Sequence, residues 1–391
     1  MTKPQGASSV PPKPASRGAE PKRKKITDIT LTLFAWKNLP KISYGAHAAG
    51  GGETKMGLLA IETDEGVTGH AFLGSATNGA DSEAASLIRT LKPMMLGEDP
   101  FAREKLNLRL WSRVRQTTTR AIGAVDIALW DLAGKALGVP VWKLIGKVRD
   151  AIPAYASSAV LPSASAYAEE AQRIKQAGWA AYKIHPPQRL RDDIAACEAV
   201  RRAVGDDYRV MLDSTWGYDF PTALRVGRAI EEMGFYWYED PLHDQDIYNY
   251  VKLRQTLRIP IMATEYPMTG LESYPVWLMN HATDYLRGDV TVKGGLTTCL
   301  KTAHLAQAFR MNYEIHHGGN SLNNLANLHL AMCIPNTEFF EVLLPEEAQK
   351  YGMLEEIEID ADGMVRAPDG PGLGAAIDFD LIRRNEIAVL R

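Results

Sequence analysis

The fold of this chain is set by residues 208–240, which read YRVMLDSTWGYDFPTALRVGRAIEEMGFYWYED. Two short apolar runs, 208–213 and 235–240, enclose a stretch whose apolar residues recur at steps of three and four, as in an amphipathic helix. Strand, helix and strand in this order predict two parallel strands joined by a crossover. The first run closes on the carboxylate of Asp213, and the second carries the carboxylate of Glu239 at its end, followed by Asp240.

The same unit repeats through the middle of the chain. A first strand is predicted at 153–157, and seven more follow, each closing on a polar residue. These residues are 24 to 28 positions apart: His185, Asp213, Glu239, Glu265, Asp289, His316 and Glu341. Eight strands at this period predict a (β/α)8-type barrel. An open doubly wound sheet normally carries a glycine-rich phosphate loop after its first strand, and residues 153–165 contain none.

The first 150 residues follow a different pattern. Residues 26–36 alternate apolar and polar, 56–72 predict a hairpin that turns at 64–66, and helical periodicity runs from about 81 to 136. The glycine-rich residues 37–55 predict a loop. This part is therefore an expected α+β unit. The residues before it, through about Lys25, are rich in Pro, Ser, Ala and Lys and predict a disordered tail.

Composition and charge narrow the class of protein. The 391 residues are 46% hydrophobic and 23% charged, with a formal net charge of −3, which favours a soluble globular protein without nucleic-acid or membrane partners. Three widely separated cysteines predict neither a disulfide framework nor a zinc cluster. No apolar run approaches the length of a membrane span, and the N-terminus has no secretory pattern, so we expect a cytoplasmic protein.

Three consecutive predicted strands end in carboxylates, Asp213, Glu239 and Glu265. In a barrel the carboxyl ends of the strands converge, and three buried carboxylates at one point repel each other. A hard divalent cation relieves the repulsion, and carboxylates with several waters suit Mg²⁺. For any single acid a helix N-cap or a surface charge is the ordinary alternative, but three in succession predict a metal site.

Basic residues flank these carboxylates in barrel order. Lys183 and His185 stand two apart, so both face the same side of a strand. Asp289 and His316 lie on the other flank, and a carboxylate one strand away can orient an imidazole and raise its pKa. His317 would face away in a regular strand, but strand ends often bend. The pattern therefore favours His316 as the base and leaves His317 open.

A metal with a base on either side suits removal of a proton from the carbon next to a carboxylate. The resulting enediolate is a dianion that a divalent cation stabilises, and a positioned base contributes about 10²–10⁴-fold. Lys183 would neutralise a substrate carboxylate oxygen. Glu341, if protonated, would donate a hydrogen bond to another, although a buried structural acid is an equal alternative. Tyr44 and His47, in the segment 37–55, would cover the far end of the substrate.

Taken in order, these motifs resemble the enolase superfamily, specifically its mandelate racemase subgroup, which includes acid-sugar dehydratases. The resemblance runs from about Ile26 to the end and rests on AVDIALWDLAGKALGVPVWKLIG at 124–146, YKIH at 182–185, MLD at 211–213, YED at 238–240, ATE at 263–265, GDVTVKGGLTT at 288–298, a histidine on the seventh strand and FFEV at 339–342. It implies a modified TIM barrel, (β/α)7β, under an N-terminal α+β capping domain. The expected division is a disordered tail at 1–25, the capping domain at 26–150, the barrel with the active site at 151–345, and a C-terminal segment at 346–391 that packs back on the capping domain.

The resemblance also implies a role for each strand-end residue. It assigns Asp213, Glu239 and Glu265 as ligands of one Mg²⁺ per subunit, Asp289 and His316 as a catalytic dyad, and Lys183 with His185 as the catalytic Lys-x-Lys pair. His185 departs from the usual second lysine. Histidine is shorter and has a lower intrinsic pKa, so proton transfer and substrate contact both remain open for it.

The reaction that the resemblance favours is Mg²⁺-dependent dehydration of a sugar acid to a 2-keto-3-deoxy acid, by a carbon–oxygen lyase. The alternative is an isomerase, namely a racemase, epimerase or cycloisomerase of an α-substituted carboxylate, acting through the same enediolate. A metal hydrolase would carry a His-x-His pair on the first strand, which residues 153–157 lack, and a non-catalytic binding protein would not need the dyad. The expected partners are a small-molecule carboxylate and further copies of the chain, in a homo-oligomer between dimer and octamer.

Overall fold

The computed structural model describes residues 24–45, 47–266 and 270–391, without the side chains of His47 and Ala49. Most of the predicted disordered tail therefore lies outside the described residues. The described strands are β1 (Ile26–Leu39), β2 (Ile42–Tyr44), β3 (His47–Ala49), β4 (Gly52–Thr63), β5 (Thr68–Leu73), β6 (Ile152–Ser157), β7 (Ala181–Ile184), β8 (Arg209–Asp213), β9 (Tyr238–Glu239), β10 (Ile261–Ala263), β11 (Tyr285–Gly288), β12 (Asn312–Ile315), β13 (Phe340–Leu343), β14 (Met364–Val365) and β15 (Glu386–Leu390).

The helices form two groups along the described chain. The first group is α1 (Asp81–Ser86), α2 (Lys92–Met95), α3 (Arg103–Trp111), α4 (Thr119–Leu137) and α5 (Val141–Ile145), with a π-helical turn, Leu87–Leu91, between α1 and α2. The second is α6 (Ala164–Gln176), α7 (Leu190–Val204), α8 (Phe220–Glu232), α9 (Ile247–Thr256), α10 (Tyr274–Met279), α11 (Leu296–Ala308), α12 (Ser321–Ala331) and α13 (Phe379–Arg384). None of the described helices combines the length and the apolar character needed to cross a bilayer.

The barrel is built from β6 to β13. Within the described chain these strands are parallel and lie in the order β12–β11–β10–β9–β8–β7–β6–β13. One helix from α6 to α12 follows each of the first seven, so the predicted (β/α)7β architecture is confirmed. The strands are short and almost wholly buried, because the barrel interior covers one face and the helices cover the other.

The predicted N-terminal α+β unit is also confirmed. Its antiparallel sheet has the order β15–β1–β4–β5, and α4 packs against β4 and β5. Every residue of α4 from Ala121 to Gly134 is buried, which indicates a helix covered on all sides rather than an amphipathic surface helix. Its other face lies against the barrel, where Trp130 Nε1 donates a hydrogen bond of 2.9 Å to Thr297 Oγ1.

The predicted loop at 37–55 is wrong. β1 runs into this segment, β2 and β3 form a small hairpin, and β4 already begins at Gly52. Glycines interrupt the apolar alternation and so hide these strands from a periodicity analysis. Gly45, whose φ is +64°, makes the turn between β2 and β3. The hairpin carries Tyr44 to the barrel, where its hydroxyl donates a hydrogen bond of 2.9 Å to the carbonyl oxygen of Leu344.

The chain after β13 returns to both parts of the molecule. β14 pairs antiparallel with β6 of the barrel, and β15 pairs antiparallel with β1 of the N-terminal sheet. The boundaries expected near 150 and 345 fall between α5 and β6 and just after β13. The last strand therefore ties the end of the chain to the first strand.

One buried histidine predicts how the fold responds to acid. His329, in α12, accepts a hydrogen bond of 3.1 Å from the Trp142 backbone N–H at Nδ1, and its Nε2 lies 2.9 Å from the carbonyl oxygen of Leu373, to which it donates. Burial lowers the pKa of His329 from 6.5 to about 4, because a charged ring there would lose its hydration. The neutral ring is thus part of the folded structure.

Acid should therefore weaken the fold through His329. The unfolded chain binds this proton at a higher pH than the folded chain, so the free energy of unfolding falls as the pH drops from 6.5 towards 4. The expected loss from this residue is about 2 kcal/mol between pH 7.5 and pH 5. His329→Gln should lose this part of the pH dependence in urea unfolding, even if it is less stable at pH 7.5. Parallel pH profiles for the two proteins would contradict the assignment.

Candidate active site

The three predicted metal ligands meet at the carboxyl end of the barrel. Asp213 closes β8, Glu239 closes β9, and Glu265 lies two residues beyond β10. One carboxylate oxygen from each residue lies within 4.8 Å of the other two, and all three side chains are buried. These oxygens have the spacing that a single hard cation bridges.

Lys183 lies beneath these carboxylates, in β7. Its Nζ is 3.1 Å from Asp213 Oδ2, 2.9 Å from Glu239 Oε2 and 2.7 Å from Glu341 Oε1. Burial and the nearby Arg287 both act to lower the pKa of Lys183, but Glu239 and Glu341 outweigh them and hold it well above its usual range. Lys183 is therefore a permanent cation inside the barrel.

Arg287, in β11, is a second buried cation, and it is absent from the site residues predicted from the sequence. Its guanidinium contacts Glu239 and Glu341, and its Nε lies 3.7 Å from Glu265 Oε2. Burial alone would lower the pKa of Arg287, whereas the adjacent glutamates raise it. The sequence contains a pattern that predicts the inward position of Arg287. It stands two residues before Asp289, and strand alternation turns both side chains to the same face.

The charges of this cluster fit a divalent metal. Asp213, Glu239, Glu265 and Glu341 supply four negative charges, and Lys183 and Arg287 supply two positive ones. The neighbouring pair of His316 and Asp289 is balanced in itself, so two negative charges remain uncompensated. Burial, opposed by Arg287, raises the pKa of Glu239 to about 8, so without further positive charge this carboxylate tends to hold a proton. A divalent cation held by the three strand-end acids would supply the missing charge.

His316, directly after β12, forms the predicted dyad with Asp289. Its Nδ1 lies 2.9 Å from Asp289 Oδ2, and its Nε2 faces the metal ligands, 3.3 Å from Glu265 Oε1. Asp289 is held in turn, because its Oδ1 accepts hydrogen bonds from the Thr291 backbone N–H at 2.6 Å and from Asn327 Nδ2 at 3.2 Å. Burial acts to lower the pKa of His316, but Glu265 and Asp289 raise it to about 9.

His317 faces the packed interior instead. Its ring centroid lies 4.0 Å from that of Phe340, and neither ring nitrogen has a hydrogen-bond partner among the described residues. Burial lowers the pKa of His317 to about 3. Of the two neighbouring histidines, His316 is the one that lines the cleft above the metal ligands.

His185 reaches the same cleft from the opposite flank. Its Nε2 lies 3.1 Å from Asp213 Oδ2, and its Nδ1 lies 2.6 Å from the carbonyl oxygen of Ser158. A carbonyl oxygen only accepts hydrogen bonds, so Nδ1 donates to Ser158, and Nε2 is the nitrogen that faces the metal ligand Asp213. Tyr44 packs edge-on against the His185 ring, with centroids 5.4 Å apart.

Of the remaining predicted site residues, some line the cleft and others lie deeper in the barrel. Tyr44 lines it, and the Tyr44 hydroxyl also accepts a hydrogen bond of 3.2 Å from Gln349. Lys183 and Glu341 lie deeper, outside the described lining of the cleft. Although burial acts to raise the pKa of Glu341, Arg287 and Lys183 hold it well below its usual range, so Glu341 is ionised and accepts hydrogen bonds.

The family of the chain follows from two independent domain matches. Residues 36–146 match the mandelate racemase / muconate lactonizing enzyme N-terminal domain, and residues 166–381 match the enolase C-terminal domain-like family. The crystal structure of D-glucarate dehydratase from Agrobacterium tumefaciens complexed with magnesium superposes with a TM-score of 0.84 at 33% sequence identity, covering 93% of this chain and 99% of that one.

Sequence relatives extend over most of the chain. Arabinonate dehydratase of Saccharolobus solfataricus is 29% identical over 369 residues, which are 90% of this chain and 96% of that protein. D-galactarolactone cycloisomerase of Agrobacterium fabrum is 28% identical, with 83% of this chain and 89% of that protein covered. With both domains matched and the barrel in place, the chain is an enzyme of the enolase superfamily and belongs to the mandelate racemase / muconate lactonizing enzyme family.

Proposed function

We propose that this enzyme dehydrates a sugar acid to a 2-keto-3-deoxy acid. The observation that carries the proposal is His316, held by Asp289 and facing three buried carboxylates in a cleft that also exposes hydroxyl and amide side chains. The relatives named arabinonate dehydratase and D-glucarate dehydratase support this reaction class.

The mechanism begins with the substrate carboxylate over Asp213, Glu239 and Glu265. Mg²⁺ held by these residues would neutralise charge that develops on that carboxylate. With Glu265 engaged as a metal ligand, the charge that holds a proton on His316 Nε2 is neutralised. His316 Nε2 can then take the α-proton while Asp289 stabilises the imidazolium through Nδ1. The C–H electrons form the C2–C3 double bond as the β C–O bond breaks. The hydroxyl leaves as water with a proton from His316 or His185, and the enol tautomerises to the ketone.

In this proposal Lys183 and Glu341 act beneath the metal ligands rather than on the substrate. Lys183 balances the charge of Asp213 and Glu239, and Glu341 in turn neutralises Lys183 and Arg287. This differs from the direct substrate contacts expected from the sequence, and the difference follows from their depth in the barrel. Tyr44 and His47 are retained as proposed substrate contacts, His47 on sequence grounds alone.

An isomerase, in particular a cycloisomerase, is the second candidate. His185 supports it, because the Nε2 atoms of His185 and His316 come from strands on either side of the metal ligands. Two such nitrogens can remove a proton on one side and return it on the other. The relative named D-galactarolactone cycloisomerase supports the same reading.

A screen of sugar acids with Mg²⁺ in D₂O separates the two reactions. Dehydration predicts a 2-keto acid, detected with semicarbazide, that carries solvent deuterium at C3. Isomerisation predicts an epimer or a lactone-derived product labelled at the α-carbon, with no keto acid formed. Lack of both products across aldonic and aldaric acids of all common configurations would reject the proposed function.

Metal binding should depend on Asp213. Asp213→Asn removes one anionic ligand at nearly constant volume, so affinity for Mn²⁺ or Mg²⁺ should fall by about 100-fold or more. Isothermal titration calorimetry, or the loss of free Mn²⁺ signal by electron paramagnetic resonance, measures this without turnover. Asp192→Asn, which alters an exposed acid of α7, is the matched control and should bind like the wild type. Unchanged affinity in Asp213→Asn would remove the metal from its proposed place.

A further inference from the structure

Arg120 supplies a fixed positive charge to the cleft. Among the described residues that line the cleft, Arg120 is the single lysine or arginine. It is the second residue of α4, and its side chain is 25% exposed. Lys183 and Arg287 are fully buried and already contact acids, so a ligand in the cleft meets the charge of Arg120 first.

The packing of α4 fixes Arg120 over the mouth of the barrel. Gly123 lies almost one turn further along the helix, and a Cβ there would stand 2.7 Å from the carbonyl oxygen of Val290 and 2.9 Å from that of Thr291. Glycine thus lets the first turn of α4 touch the segment after β11. Arg120 Cζ lies 5.8 Å from the ring centroid of Tyr266, the residue after a proposed metal ligand.

Thr291 is independent evidence that the cleft binds a polar ligand. Its side chain is only 7% exposed and lines the cleft, yet its Oγ1 has no hydrogen-bond partner within the described chain. A buried hydroxyl without a partner costs about 1–3 kcal/mol, so a ligand oxygen is expected to complete it. Thr77 and Asn78, from the turn after β5, add further polar groups to the same wall.

Arg120 also conflicts with the electrostatics of its own helix. A cation in the first turn opposes the helix dipole by roughly 0.3–1 kcal/mol. Glu83, in α1, offsets only part of this, because its Oε1 lies 4.0 Å from Arg120 Nη1, which is beyond a direct charge-assisted hydrogen bond. Residues that contradict local preference concentrate at functional sites, and an anion in the cleft would neutralise the charge of the guanidinium.

We propose that the substrate is a sugar diacid, with one carboxylate over the metal ligands and the other bound by Arg120. This inference rests on the proposed function, which places the first carboxylate. A guanidinium pairs with a carboxylate through two parallel hydrogen bonds, a geometry that a terminal hydroxymethyl group does not offer. Relatives named for both arabinonate, a monoacid, and D-glucarate, a diacid, show that family membership alone does not decide between them.

The test uses pairs of acids that differ only at the distal carbon, galactarate against galactonate and glucarate against gluconate. With Mg²⁺ present, we expect kcat/KM for the preferred diacid to exceed that for its monoacid by about tenfold or more. Arg120→Gln should lower kcat/KM for the diacid by about 10- to 100-fold, mainly through KM, and change the monoacid by less than about threefold. Arg120→Lys keeps the charge and should recover part of the loss.

The control is Arg113→Gln, an exposed arginine of the same domain outside the described lining of the cleft, which should behave as the wild type. Equal losses for both acids in Arg120→Gln, or a wild-type preference for the monoacid, would overturn the diacid assignment and leave dehydration intact. If no acid of either kind reacts, the proposed function fails. The diacid assignment is then tested separately, by calorimetric binding of the same pairs of acids. Tighter binding of the diacid that requires Arg120 supports the assignment, and its absence overturns it.

Discussion

Replacing His316 by asparagine is expected to lower kcat for dehydration by about 10³-fold, within the range that a positioned base contributes. Asparagine keeps a polar group near Asp289 but has no nitrogen that takes up a proton. Mg²⁺ should still bind, because His316 is not a proposed metal ligand, and the unfolding midpoint should fall, because buried Asp289 loses the ring that it pairs with. Steady-state rates give the loss of keto acid, and exchange of the substrate α-proton in D₂O reports the first step directly.

The matched control for His316 is its neighbour. His317→Asn removes a ring that packs against Phe340 and lies outside the described lining of the cleft, so it should reduce stability but keep kcat within about tenfold. If His316→Asn still exchanged the α-proton at the wild-type rate, or if His317→Asn lost as much activity, the base would not be His316.

The barrel could be predicted because polar residues mark the ends of its strands at a regular spacing along the sequence. Asp213 and Glu239 close β8 and β9 as expected, and the other strand ends fall within two residues of their predicted places. Convergence of the strand ends is then a property of the architecture and needs no knowledge of side-chain contacts. The geometry of the acids and of the His316–Asp289 pair follows from that convergence.

The depth of a side chain in the barrel was harder to predict than the face of the strand on which it lies. Lys183 and His185 share one face of β7, as alternation requires, but two residues correspond to about 6.6 Å of strand. Lys183 therefore lies below the carboxylates and pairs with them, whereas His185 lies beside the cleft. Alternation alone assigns the same role to both residues, and only the positions of the acids on neighbouring strands separate them.

Residues whose role depends on distant contacts could not be found from local patterns. Arg287 has the inward register of a strand residue, but a buried guanidinium is acceptable only where several acids surround it, which is a tertiary property. Arg120 belongs to a helix far from the barrel in sequence, and the contact of Gly123 with the segment after β11 places it over the cleft. The hairpin of β2 and β3 was missed because its glycines break the periodicity.

Arg287→Met is expected to lower the free energy of unfolding of the metal-free protein by about 3–5 kcal/mol, the usual cost of leaving a buried charge without its partner. Methionine fills much of the same volume but carries no charge, so Glu239 and Glu341 lose the cation that contacts both. The cluster would then hold three uncompensated negative charges instead of two. Urea unfolding at pH 8 in EDTA measures the change.

The double variant Arg287→Met/Glu341→Gln separates charge from packing. It removes one acid together with the cation, which restores the original balance of charge, so part of the lost stability should return. Because a divalent cation would compensate the same acids, Mg²⁺ should also raise the unfolding midpoint of Arg287→Met by more than it raises that of the wild type. Identical midpoints for the single and double variants, with no larger response to Mg²⁺, would show that Arg287 fills space in the barrel without balancing its charge.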